Sequence, residues 1–300
     1  MKDLRYRNFI ALLFAVAAMG LTAPHSALAQ AMSLAAAATV HRAPTICEET
    51  LAPLSLKDAL RQVCLRQPVA MADASARKTI IIGFVGGFVK RDDQRHPEVQ
   101  FATYLRDRYA SGADVEVFSN HAWRTALQEV ERMLDTDDDG TLSAGEKQQA
   151  RIIIYGHSWG ASETVAFARE LGQKNIPVLL TIQLDSIVKP GQQDSTIPPN
   201  VASAVNFYQS EGFLHGRRKI LAADPARTRI IGNFQMTYRD HPINCDNYPW
   251  FPRTFNKPHH EIENDPRIWD QLTSLIDAEL SSAQATVPRP GVSEASQFSH

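Results

Sequence analysis

The sequence has few cysteines, no excess of basic charge and no internal repeats. Cys47, Cys64 and Cys245 are its only cysteines, and none stands in a C-x-x-C pair, so redox catalysis is not predicted. Lys and Arg number 31 against 33 Asp and Glu, and the absence of a basic run argues against a nucleic-acid partner. The composition, 44% hydrophobic and 21% charged, is ordinary for a soluble globular protein.

The N-terminus has the pattern of a signal peptide. A basic start precedes an apolar run over residues 9–21, and Ala27-Leu28-Ala29 follows as an A-x-A cleavage site. We therefore predict a signal peptide over 1–29 and a mature chain that begins at Gln30. The apolar run is short for a spanning helix, so no stable membrane anchor is expected. The product is expected in the periplasm or outside the cell.

Export to an oxidising compartment allows a disulfide. Cys47 and Cys64 are the preferred pair, because both lie in the segment 30–77 that precedes the core. That segment is predicted to be an Ala-rich lead-in followed by a helix over about 51–65. The tail 281–300 is rich in Ser, Ala, Pro and Gln and is predicted to be disordered.

Between residues 78 and 280 short apolar runs alternate with amphipathic stretches. The runs predict strands over 79–84, 114–118, 152–155, 177–184, 204–208 and 229–236. Helical spacing predicts helices over 97–109, 120–134 and 161–171, the second capped by Asn120 and the third by Gly172. This alternation predicts one α/β domain with a mainly parallel, doubly wound sheet.

The pattern Gly156-His157-Ser158-Trp159-Gly160 joins the third strand to the helix after it. A sharp strand-to-helix turn with serine at its apex lifts the hydroxyl out of the sheet, and the two glycines let the backbone pass where side chains would collide. The pattern alone is common by chance, and its context makes it informative. The alternative is a glycine-rich turn in another kind of α/β protein.

With this motif, the Gly86-Gly87 turn two strands earlier, and the order serine, acid, histidine, the chain resembles the α/β-hydrolase superfamily. The resemblance is to its secreted esterase- and lipase-like members and covers about residues 78–276. It implies a Ser–His–acid triad and acyl transfer to water. The family's opening antiparallel strands have no counterpart here, which suggests a trimmed core.

Ser158 needs a base to remove its proton, and the base needs a carboxylate to orient it. Asp185 ends the strand after the nucleophile and is the favoured acid; Glu211 stands where most superfamily members carry theirs. His259 is the favoured base and His260 the alternative. This His-His-Glu stretch lacks H-E-x-x-H spacing, so the motif does not predict a metal.

The resemblance also implies an oxyanion hole. Its donors are the backbone N–H of Trp159 and that of Gly87 or Phe88. His157 is predicted to pack beneath the serine. The remaining histidines stand in no motif and are predicted to be ordinary surface or loop residues: His41, His96, His121, His215 and His241.

Residues 135–146 match the EF-hand loop position for position. Gly140 stands at the turn, and the ligand positions hold Asp135, Asp137, Asp139, Thr141, Ser143 and Glu146. A lone loop of this kind predicts a structural calcium ion that joins the preceding helix to the strand carrying Ser158. The alternative is a cation-free acidic turn, in which Ser143 and Glu146 form a capping box.

These observations predict an exported serine hydrolase that cleaves small-molecule or lipid carboxylic esters. Calcium would be structural, and catalysis would need no cofactor. The alternative from another class is a non-catalytic, calcium-dependent binding protein on the same fold.

Overall fold

The structure is a computed structural model that describes residues 79–246 and 256–285. The predicted signal peptide 1–29, the segment 30–77 with its proposed Cys47–Cys64 disulfide, and residues 286–300 lie outside the described residues. The tail was predicted to begin at residue 281, but the last helix continues to Ala285.

The sheet strands and helices alternate along the chain. The first half contains β1 (Thr79–Val85), α1 (Pro97–Arg108), β2 (Ala113–Ser119), α2 (Trp123–Leu134), α3 (Ala144–Gln148), β3 (Ile152–His157) and α4 (Trp159–Gln173). The second half contains β4 (Val178–Leu184), β5 (Thr196–Ile197), β6 (Val201–Gln209), β7 (Leu221–Ala222), β8 (Arg229–Met236), α5 (Lys257–Asn264) and α6 (Pro266–Ala285).

Six of these strands form one sheet in the order β2-β1-β3-β4-β6-β8, and every neighbouring pair is parallel. Ile81 of β1, for example, pairs with Val115 on one side and Ile153 on the other. The two short strands β5 and β7 pair separately. The predicted α/β fold with a parallel sheet is confirmed, and the six predicted strands are the six strands of the sheet.

The sheet is buried on both faces, as its apolar strand sequences require. Every residue of β1 and β3 is buried. Phe84 packs on one side with Val165 and Phe167, from the face covered by α2 and α4. Helices α1, α5 and α6 cover the opposite face, which has its own core around Ile153.

The sheet order changes direction between β1 and β3. From β1 the chain crosses to β2 on one side, and from β2 it returns to β3 on the other. The loops after β1 and β3 therefore diverge at the carboxyl edge, and this switch point is where ligands bind open parallel sheets. Ser158 and the Gly86-Gly87 turn follow these two strands.

Within residues 79–246 and 256–285, no helix has the length and apolarity needed to cross a bilayer.

Candidate active site

Ser158 stands at the turn from β3 into α4 in a backbone conformation that side chains rarely adopt. Its φ is +57° and its ψ is −122°. Such a strained conformation persists only where the surroundings enforce it, and it is frequent at functional sites. The turn places the Ser158 side chain at the carboxyl edge of the sheet, 9% exposed.

The flanking glycines allow this turn because their neighbours leave no room for a side chain. A Cβ on Gly156 would lie 2.5 Å from the carbonyl carbon of Gly160, and a Cβ on Gly160 would lie 2.0 Å from the carbonyl oxygen of Phe84. Helix α4 can therefore begin directly against β1 and β3. The two glycines of the motif are required by steric contact with backbone atoms, which cannot move aside.

Ser158, His259 and Asp185 form a continuous hydrogen-bonded chain. The hydroxyl oxygen of Ser158 lies 2.9 Å from Nε2 of His259, and Nδ1 of His259 lies 2.6 Å from Oδ2 of Asp185. A carboxylate can only accept a hydrogen bond, so Nδ1 carries the proton and Nε2 accepts from the serine hydroxyl. All three side chains are buried or nearly so.

The carboxylate of Asp185 is held by four donors. Besides His259, it accepts hydrogen bonds from the backbone N–H of Gln209 at 3.0 Å, from the Gln209 side chain at 2.8 Å and from the N–H of Gly216 at 2.7 Å. Burial by itself would raise the pKa of Asp185, but the hydrogen bonds from His259 and Gln209 outweigh it and lower the pKa below its usual value. The acid therefore stays ionised beside the imidazole.

Two residues around this carboxylate were not found from the sequence. Gln209 ends β6, the strand beside β4, and Gly216 lies in the loop after it. A Cβ on Gly216 would lie 2.4 Å from Oδ1 of Asp185. No local pattern marks either residue, because their role depends on where β6 pairs with β4.

The alternative acid and base lie elsewhere. The carboxylate of Glu211 accepts a hydrogen bond from the N–H of Tyr238 at 2.9 Å. Nδ1 of His260 lies 3.8 Å from Oε2 of Glu263. The structure brings Asp185 and His259 to Ser158, and it does not bring Glu211 or His260 there.

The sequence predicted Asn120 as the cap of α2. This prediction is wrong, because the helix begins at Trp123. The buried side chain of Asn120 instead donates hydrogen bonds to the carbonyl oxygens of Val85 at 3.1 Å and Gly87 at 2.6 Å. These bonds orient the Gly87–Phe88 peptide, whose carbonyl points toward Asn120. In a trans peptide the following N–H points the opposite way, so Asn120 sets the direction of the predicted Phe88 donor.

Gly172 does not end α4, because that helix continues to Gln173. A Cβ there would lie 2.8 Å from Oδ1 of Asn200. The glycine therefore allows a close contact between the helix and the segment that enters β6.

A second group of ionisable side chains lies directly beneath the triad. His157 is buried as predicted, and its Nε2 lies 3.1 Å from the carbonyl oxygen of His259. His96 is not an isolated loop residue, because its Nδ1 lies 3.0 Å from Oε1 of Glu263. Glu98 completes the group; burial, and then the neighbouring carboxylate of Glu263, raise the pKa of Glu98.

The acidic loop 135–146 holds three aspartates close together. One carboxylate oxygen from each of Asp135, Asp137 and Asp139 lies within 4.8 Å of the others. Asp135 accepts the N–H of Asp139 and that of Gly140, where φ is +81°. The charge of Asp139 is the main cause that raises the pKa of Asp137.

Glu146 is engaged differently from the three aspartates. Its two oxygens accept hydrogen bonds from the backbone N–H and hydroxyl of Thr136 and of Ser143. These bonds lower the pKa of Glu146 to about 2. Ser143 and Glu146 thus form the capping box of α3, and the aspartates alone converge on a common point.

No protein-family model and no curated protein sequence matches the chain. Among solved structures it is similar to a cutinase-like protein from Cryptococcus sp., with 14% identity and a TM-score of 0.36. The match covers 69% of this chain and 98% of that one. At that score the similarity supports no argument about activity.

We expect Gly160→Ala to destabilise the protein, because its Cβ would press on the carbonyl of Phe84. The loss in the free energy of unfolding should be about 1–3 kcal/mol, measured by urea titration. Gly145→Ala is the matched control, since the nearest atom to its Cβ would be 3.8 Å away in Ser143. The control should be neutral or more stable; equal stability of the two variants would contradict the packing argument.

Proposed function

We propose that this protein is a serine hydrolase that cleaves carboxylic esters. The observation that supports it is the unbroken chain of hydrogen bonds from Ser158 through His259 to Asp185. A serine hydroxyl is a poor nucleophile at neutral pH and becomes effective only beside an oriented base. The strained turn at Ser158 and its place at the switch point between β1 and β3 support the same conclusion.

In the first half of the reaction, Nε2 of His259 accepts the hydroxyl proton while Oγ of Ser158 attacks the carbonyl carbon of the ester. Asp185 keeps the imidazole in the tautomer that accepts at Nε2, and its negative charge stabilises the imidazolium that forms. The proton on Nε2 then passes to the alkoxide leaving group, and an acyl-enzyme remains. In the second half, His259 removes a proton from water, which attacks the acyl carbon. The carboxylic acid product leaves, and Ser158 regains its proton from His259.

In both halves of the reaction a negative charge develops on the carbonyl oxygen of the substrate. N–H donors must point at that oxygen to stabilise the charge. The proposed donors are the backbone N–H of Trp159, at the start of α4, and that of Gly87 or Phe88. The hydrogen bonds of Asn120 to Val85 and Gly87 support Phe88, because they direct the Gly87 carbonyl away. Asn120 is thus a positioning residue in this scheme.

Apolar side chains beside Ser158 favour an ester with an apolar part. Phe88 is 71% exposed, and its ring meets that of Trp159 edge-on at 5.6 Å. The backbone N–H groups of these two residues are among the proposed oxyanion donors. A small-molecule or lipid ester could therefore place its acyl or alcohol group on these rings while its carbonyl reaches Ser158.

We further propose a structural calcium ion at Asp135, Asp137 and Asp139. The convergence of their carboxylates and the repulsion that raises the pKa of Asp137 support a cation there. Glu146 would have to share or release its hydrogen bonds to join as a ligand. The loop connects α2 to α3 and then to β3, so the ion would stiffen the approach to Ser158.

Export through cleavage of residues 1–29 remains part of the proposal. It would place the hydrolase in the periplasm or outside the cell.

We expect Ser158→Ala to abolish ester hydrolysis. Loss of the nucleophile should lower kcat roughly 10⁴-fold or more on p-nitrophenyl esters of short and long chains. A fluorophosphonate probe should label the unmodified protein at Ser158 and leave the variant unlabelled. Ser195→Ala, in the loop before β5, is the control and should keep both ester hydrolysis and labelling by the probe. Undiminished turnover in Ser158→Ala would refute Ser158 as the nucleophile. A parent protein that neither hydrolyses the esters nor is labelled by the probe would favour a binding protein without catalysis.

Replacing the two candidate acids distinguishes their roles. Asp185→Asn should reduce kcat on the order of 10⁴-fold, because an amide no longer fixes the productive histidine tautomer. Glu211→Gln keeps the size of its side chain and should leave kcat within a few-fold. Both variants are compared with the parent protein over a range of pH. A larger loss in Glu211→Gln than in Asp185→Asn would refute the assignment of the acid.

Calcium should raise the melting temperature, because a ligand that binds only the folded state stabilises it. The gain is about 2.7 kcal/mol at a calcium concentration 100 times the Kd, measured by thermal denaturation with calcium or a chelator. Asp137→Asn should remove most of the shift. Asp138→Asn makes the same change of charge beside the cluster and should retain it; an equal shift in both variants would contradict a site at Asp137.

A further inference from the structure

A compact group of four side chains lies beneath the triad on three elements. His96 and Glu98 stand at the start of α1, His157 ends β3, and Glu263 lies near the end of α5. The proposed hydrolysis uses none of these side chains directly. One ligand atom from each of His96, Glu98 and Glu263 lies within 4.8 Å of the others.

Glu98 is the least satisfied member of this group. Its side chain is completely buried, and neither carboxylate oxygen has a hydrogen-bond partner among the described residues. Nδ1 of His157 lies 3.5 Å from Oε1 of Glu98. An unpartnered carboxylate in an apolar interior costs several kcal/mol unless a positive charge or a proton accompanies it.

The orientation of His157 prevents its neutral ring from donating a hydrogen bond to Glu98. Its Nε2 lies 3.1 Å from the carbonyl oxygen of His259, which can only accept. Nε2 therefore carries a proton, and in the neutral ring Nδ1 presents a lone pair. That lone pair faces Glu98 and Glu263, each at 3.5 Å. Three acceptors thus point at one small volume.

We propose that His96, Glu98, His157 and Glu263 bind a divalent transition-metal ion of the zinc class. His96, Glu98 and Glu263 supply the three donor atoms that lie within 4.8 Å of one another, and His157 would join them as the fourth ligand through Nδ1, which is 3.5 Å from an oxygen of each glutamate. The backbone bond of His157 is the outer contact that metal-binding histidines usually make, because it fixes the ring with one nitrogen free for the metal.

The separations between donor atoms agree with such an ion. In a tetrahedral zinc site with bonds of about 2.0–2.1 Å, ligand atoms lie about 3.3–3.4 Å apart. Here Nδ1 of His157 is 3.5 Å from an oxygen of each glutamate, and Nδ1 of His96 is 3.0 Å from Oε1 of Glu263.

The donor set distinguishes this site from the acidic loop. Two imidazoles and two carboxylates suit zinc and related ions, whereas calcium prefers oxygen ligands alone. The three aspartates at 135, 137 and 139 offer only oxygen. The two places should therefore bind different metals, and each can be tested in the presence of the other's ion.

The metal would join three elements behind the triad. Glu263 belongs to α5, which also carries His259, and His157 precedes Ser158 directly. The ion would hold α5 against α1 and β3 and so help to keep His259 in place. Binding of the ion does not depend on whether Ser158 acts as a nucleophile.

The test is isothermal titration of the full-length, chelator-treated protein with ZnCl₂ in millimolar calcium, which would compete for the acidic loop. We expect one zinc ion per chain. Glu98→Gln, which keeps the size of the side chain, should weaken binding on the order of 100-fold. His96→Asn, at the partly exposed side of the group, should weaken it as well. Cobalt(II) gives a second readout, because the four-coordinate ion absorbs visible light and the hydrated ion hardly does.

Two controls keep the result specific. Asp137→Asn should bind zinc as the parent protein does, since the acidic loop is not involved. His121→Asn removes an exposed histidine far from the group in sequence and should also have no effect. No zinc binding by the parent protein, or equal affinity in Glu98→Gln, would overturn the proposal. The first result would mean that the group is held together by shared protons alone.

Discussion

The close approach of α4 to the centre of the sheet is the constraint on which the rest of the site depends. Gly156 and Gly160 allow the helix to start within contact distance of β1 and β3 backbone. Ser158 is thereby forced into a positive φ and held at the carboxyl edge of the sheet. The stability of the buried sheet maintains a local conformation that an isolated peptide would not adopt.

The partners of Ser158 are assembled from distant segments by the order of the strands. Asp185 follows β4, the neighbour of β3, and its carboxylate is oriented by β6 on the far side. His259 comes from α5, 101 positions beyond the serine. Because burial of Asp185 is compensated by hydrogen bonds, the acid remains charged in an apolar setting. Beneath it, Glu98 accepts no such set of hydrogen bonds and faces the carboxylate of Glu263, which is why a cation is proposed there and not at the triad.

Much of the architecture could be predicted because its signals are local. Short apolar runs predicted all six strands of the sheet, and the G-x-S-x-G pattern predicted the position of the turn at Ser158. The favoured acid and base, Asp185 and His259, were proposed from chain order and family resemblance. Helix starts were less predictable: Asn120 has a typical capping side chain, but its amide bonds across the fold to Val85 and Gly87.

The sequence by itself determined the α/β class, the strand–turn–helix around Ser158 and the composition of the acidic loop, because each depends on residues close together in the chain. The tertiary structure decided between His259 and His260, because neighbours in sequence point in different directions once a helix forms. It decided between Asp185 and Glu211 through the order of the strands, because Asp185 follows the strand that lies beside β3 and Glu211 follows the next one. It also gathered Glu98, His157 and Glu263 into one buried group. No spacing in the sequence announces that group, since its members meet only where α1, β3 and α5 pack together.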